Sequence, residues 1–137
     1  MREELIEQIR AHPGIDDSIL AYCCEEQTRY IYGNGAQAAT CLAFFREMDV
    51  PVHGVLGLPG YELPKLSGYW GRLLRSAEIV LVTELTERQR ADAAVLIASP
   101  RESYGAARAF LERTGFRHIY TCAWERNQYL RDICTGL

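Results

Sequence analysis

Apolar positions along this chain change their period several times, and each change marks an element. Leu5, Ile6 and Ile9 stand at helical spacing until His12, Pro13 and Gly14 stop the pattern. Asp16, Asp17 and Ser18 are N-cap residue types ahead of Ile19, Leu20, Tyr22 and Cys23, which predicts a second helix and makes residues 1–27 a helical lead-in. From residue 28 strand and helix alternate. Residues 30–32 read as a strand, 36 to about 48 as a helix and 52–56 as a second strand, a βαβ unit of about 30 residues. Ala38, Cys41, Leu42, Phe45 and Met48 recur along one side of that helix while Gln37, Thr40 and Glu47 fall elsewhere, so one face is expected to be buried. Asp49 and Pro51 mark its exit.

Residues 57–78 hold two prolines and four glycines with Tyr61, Tyr69 and Trp70 among them, the composition of a long irregular connection, with one helical turn near 72–75. Residues 79–82 follow as a short buried strand, and Thr86 with Gln89 three residues on predicts a brief capped helix. Residues 93–98 are apolar throughout, as a central parallel strand should be. Ser99, Pro100 and Glu102 are suited to N-cap, N1 and N3 of a further helix running to Thr114, with Ser103, Ala107, Phe110, Leu111 and Thr114 on one face and Gly115 as its left-handed stop. A fifth strand at 116–120 and a closing helix at 124–134 complete the chain. Right-handed crossovers then predict one α/β domain, a three-layer αβα sandwich on a five-stranded parallel sheet of order 3-2-1-4-5. Its βα core spans 28–123, with 124–137 closing it.

The turn after the first strand carries the candidate chemistry. Gly33, Asn34, Gly35, Ala36, Gln37 and Ala38 match G-x-G-x-x-[GA] between a strand and a helix, the dinucleotide-binding fingerprint. Gly33 permits a tight turn, Gly35 lets backbone approach a pyrophosphate, and the helix from Ala36 aims N–H groups and its positive dipole end at a phosphate. The same glycines also serve a plain strand-to-helix turn. In a sheet of this order the ligand crevice lies at the carboxyl ends of the strands, between the first and fourth. That adds Gly57 and Leu58, Thr83 and Glu84, and Ser99, Pro100 and Arg101 to the candidates. A standard NAD site would also place an acid at the end of the second strand to take the ribose hydroxyls. Here that end reads Val55, Leu56, Gly57, Leu58, Pro59, with Glu62 farther along and no basic residue for an NADP phosphate.

Composition narrows the partners. Apolar residues make up 48% and charged residues 24% of the 137, and the net charge is -3, so no polyanion-attracting field exists and a nucleic-acid partner is not expected. Five cysteines without a C-x-x-C pair point to thiols in a reducing compartment. Met1, Arg2, Glu3 and Glu4 are charged and no apolar signal core or run of about 20 apolar residues follows, so a cytoplasmic protein that does not enter a membrane is expected. His12, His53 and His118 lack ligand spacing, and His118 with Cys122 is an isolated H-x-x-x-C, so no metal site is expected. Ser99 lacks a nucleophile elbow and is explained by its cap. Arg101 reads either as a phosphate clamp or as a solvated first-turn residue, and Tyr61, Tyr69 and Trp70 either as a stacking lid or as loop packing.

The segment from Tyr30 to Gln37, with Val52 to Leu56 and Val95 to Ser99, resembles the small Rossmann-like domain found ahead of FkbM-type methyltransferase domains and in sugar-nucleotide-modifying proteins. The resemblance covers about residues 16–123 and extends to the N-terminal nucleotide-sugar-binding domain of sugar acyltransferases, without the hexapeptide repeat that follows there. In those proteins an acidic pair usually ends the strand after the glycine helix; Gly57 and Leu58 stand in its place, while Ala98 and Ser99 match the small-residue turn after the fourth strand. The resemblance implies an accessory, non-catalytic module for a nucleotide or nucleotide-sugar, serving a partner catalytic domain in methyl transfer or polysaccharide biosynthesis. The cofactor left open is a nucleotide, a nucleotide-sugar or NAD(P). Two other readings stand beside it: a small NAD(P)-dependent oxidoreductase, and a vestigial Rossmann domain used for homodimerisation or docking.

Overall fold

Five short runs form the strands, most of them rich in β-branched or aromatic residues: β1 (Arg29–Tyr32), β2 (Gly54–Gly57), β3 (Ile79–Leu81), β4 (Ala94–Ile97) and β5 (His118–Thr121). All pair in parallel, in the order β3-β2-β1-β4-β5 predicted from the βα alternation. The computed structural model describes residues 22–23, 28–33, 36–47, 49–57, 77–98 and 101–121. The predicted lead-in is described only at Tyr22 and Cys23, which are helical; its remainder, most of the 57–78 connection and the closing helix lie outside the described residues. The interior strands β2 and β4 are buried along their length, and β3 and β5 at the edges are half-buried. That is why β4 reads Ala-Val-Leu-Ile without a polar residue.

The two-residue period of the strands divides the core into two layers. Ile31, Ala94 and Leu96 face α1 (Ala36–Glu47), meeting Ala38, Cys41, Phe44 and Phe45 together with Tyr22 and Cys23. Tyr30, Leu56, Val95 and Ile97 face the other way and pack with Val82, Leu85, Ala107, Leu111 and Phe116. α3 (Tyr104–Arg113) packs in this second layer through Ala107 and Leu111, while α2 (Glu87–Asp92) buries no residue and is tied there by Arg90, which donates to the Val82 and Thr114 carbonyls. The result is an α/β, Rossmann-like sandwich with helices on both faces of a parallel sheet.

Helix ends follow local chemistry closely. Thr86 caps α2 by a complete capping box: the Gln89 N–H donates to Thr86 Oγ1 at 3.1 Å and the Thr86 N–H to Gln89 Oε1 at 2.8 Å. Thr86→Ala is expected to cost about 1 kcal/mol, read as a lower urea midpoint at unchanged slope; an unmoved midpoint would reject the cap. Helix α3 ends in a Schellman motif, with the Gly115 N–H on the Glu112 carbonyl at 3.1 Å, the Phe116 N–H on the Leu111 carbonyl at 3.0 Å, and Gly115 at φ 105°. Helix α1 ends the same way on Arg46 and Phe45, with Asp49 at φ 57° in the position glycine usually takes.

Two expectations need correction. The helix expected from Pro100 onward reaches α-helical winding only at Tyr104, after a 3-10 turn at Arg101–Ser103. Ser103, at its N-cap, is already in the right-handed helical region and makes no side-chain cap; the preceding i→i+3 winding takes the place of a side-chain partner for the first turn. The cap assigned to Ser99 lies outside the described residues. Helix α1 is buried on more than one face: Thr40 and Phe44 are as fully covered as Ala38 and Phe45. Part of that cover comes from Tyr22 and Cys23, held by Arg29, whose Nε donates to the Tyr22 carbonyl at 3.2 Å and Nη2 to the Cys23 carbonyl at 3.0 Å.

Candidate functional site

The strand order reverses between β1 and β4, so the carboxyl ends of these two adjacent strands define the crevice of the fold. Gly33 leaves the end of β1, and α1 begins three residues later at Ala36. Asn34 and Gly35 lie outside the described residues. The first turn of α1, containing Ala36 and Gln37, has no acidic residue of its own to bond its first N–H groups. The end of β1 at Gly33 and the N-terminus of α1 at Ala36 thus both lie at the switch point.

Gly33 has a further reason to be glycine. Its φ is 147°, and a Cβ built there would lie 2.1 Å from the Ala98 carbonyl oxygen. The Ala98 N–H also donates to the Tyr32 carbonyl at 2.9 Å, so the β1 and β4 chains stay drawn together past their last paired residues. Backbone packing alone requires a residue without Cβ at this position. A ligand requirement for a Cβ-free surface therefore has to rest on Gly35.

The remaining candidates spread along the same end of the sheet. Gly57 ends β2, buried, in register with Leu81 of β3, and offers no side chain toward a ribose. Thr83 and Glu84 follow β3 in a 3-10 turn at Val82–Glu84 and are exposed. Two strand spacings, roughly 10 Å, separate β3 from β1. Arg101 opens the 3-10 turn after β4, on the other side of Gly33, and Ser99 lies outside the described residues. The structure thus places Gly33 beside the chain leaving β4, starts α1 three residues on at Ala36, sets Gly57 on the other flank, and leaves Thr83 farthest away.

Aromatic residues near the end of β1 were not singled out by the pattern. Tyr32, the last residue of β1, stacks on Phe110 of α3 with ring centroids 5.9 Å apart and planes at 25°. Burial pushes the Tyr32 phenol above its ordinary pKa. Its position directly before the glycine turn is the sequence signal that marks it. The aromatic residues that the sequence offered as a lid, Tyr61, Tyr69 and Trp70, lie outside the described residues.

Both described histidines sit at the opposite, amino-terminal end of the sheet. His53 precedes β2 and its Nδ1 accepts the Arg29 N–H at 3.1 Å, which assigns the neutral ring's proton to Nε2. His118 opens β5. Among the described residues no three His, Cys, Asp or Glu side chains cluster as metal ligands, and Cys23 and Cys41, both buried, form no disulfide. A cleft of about 810 Å³ also lies at this end, between Leu42, Phe45 and Arg46 of α1 and Val52, His53 and Glu78 beside β2 and β3. It faces away from the glycine turn. No helix among the described residues is long and apolar enough to cross a membrane. The chain matches no protein-family model, no curated protein and no solved structure.

Proposed function

We propose that this chain is a non-catalytic binding module for a nucleotide or nucleotide-sugar, which receives a phosphate group over the turn from Gly33 to Gln37. The observation that supports it is the placement of Gly33 and the start of α1 at the carboxyl end of β1, where the sheet order reverses beside β4. Arg101, opening the turn after β4, is the cation assigned to the phosphate, and Thr83 and Gly57 border the sugar side. The buried, side-chain-free end of β2 at Gly57 disfavours the ribose contact of a standard NAD site, and the exposed Glu84 is the nearest described acid after β3. The resemblance of the glycine turn to domains that accompany methyltransferases and sugar-nucleotide enzymes assigns catalysis to a partner domain.

A thermal-shift panel of ADP, UDP, UDP-glucose and NAD⁺ tests this reading. A ligand present at about 100 times its Kd adds about 2.7 kcal/mol to stability, a rise of roughly 5–10 °C for a domain of this size. Gly35→Asp places a carboxylate where the phosphate would sit, so the shift should vanish while the circular dichroism and the ligand-free midpoint stay as in the parent. Failure of every probe to bind, or equal affinity in folded Gly35→Asp, would reject the site. The purified chain is also expected to oxidise no NADH with carbonyl substrates and to transfer no methyl group from S-adenosylmethionine to sugar or nucleotide acceptors; turnover lost on Gly35→Asp would replace the binding-only reading with an enzyme.

The contact of Gly33 with Ala98 favours a second reading, a vestigial Rossmann-like domain used for docking, because it accounts for that glycine without a ligand. Under that reading the panel stays silent and Gly35→Asp is neutral.

A further inference from the structure

We draw no further inference here: the strongest candidate, the cleft of about 810 Å³ at the amino-terminal end of β2 and β3 between Phe45, Arg46, Val52, His53 and Glu78, carries none because nothing in the structure shows what covers it.

Discussion

Gly33→Ala is expected to remove a large share of the stability of the domain. The added Cβ would lie 2.1 Å from the Ala98 carbonyl oxygen and 2.9 Å from its carbon, and both are backbone atoms, so no rotamer change relieves the contact. At φ 147° an L residue is also held in a region that is essentially reserved for glycine. Relief requires the end of β1 to move away from β4, which breaks the bond from the Ala98 N–H to the Tyr32 carbonyl. Backbone strain of about 1–3 kcal/mol, overpacking of about 1–3 kcal/mol and the lost bond at about 1 kcal/mol together reach roughly 3–7 kcal/mol. A domain stable by about 5–15 kcal/mol loses much of its margin. Urea titration should show a midpoint far below that of the parent, or no cooperative transition at all. A parent-like midpoint would mean that β1 and β4 do not meet as described. Binding assays on Gly33 variants would accordingly report unfolding, and Gly35 is the position at which the phosphate hypothesis is tested cleanly.

What was legible in the sequence is what neighbouring residues decide among themselves. The apolar run of β4, the box at Thr86 and Gln89, and the stop at Gly115 each state their structure within a few residues. The strand order follows once the connections are taken as right-handed. Features set by distant residues stayed hidden. Thr40 looked solvent-facing because the helical period of its own segment marks a single apolar face, and its burial depends on what packs over α1 from elsewhere in the chain. Gly33 was assigned to a turn, although Ala98, 65 residues away, already demands it. The candidate site divides in the same way. Its strand-to-helix junction, from the end of β1 at Tyr32 to the start of α1 at Ala36, is local and legible, whereas the stack of Tyr32 on Phe110 arises only when α3 folds back over β1.

Tyr22 is expected to make stability fall above about pH 10. Its ring is fully buried, packed against Phe45 at 5.2 Å and edge-on to Tyr120 at 6.0 Å, and its hydroxyl donates to the Tyr30 carbonyl at 2.9 Å. Burial raises the phenol well above its ordinary pKa, Cys23 and Cys41 push the same way, and the Arg29 guanidinium opposes them. Below about pH 10 the tyrosine is protonated in both the folded and the unfolded chain and contributes no pH dependence. Above it the unfolded chain releases the proton and the folded chain keeps it, so stability is lost as pH rises toward the folded pKa, by about 1.4 kcal/mol per pH unit for this one group. Tyr30 and Tyr32 are raised in the same direction, chiefly by burial, and add to the limb. Tyr22→Phe should lower stability near neutrality by about 1 kcal/mol, the hydroxyl bond, and make the alkaline limb shallower. Tyr22→Ala, which empties the ring's volume, should cost about 3–5 kcal/mol. Urea midpoints of parent and Tyr22→Phe between pH 8 and 11.5 isolate the group, because every other titrating residue is common to both proteins. Parallel alkaline limbs would show that the Tyr22 hydroxyl reaches water, and with it that the helical residues 22–23 do not seal this face of the sheet.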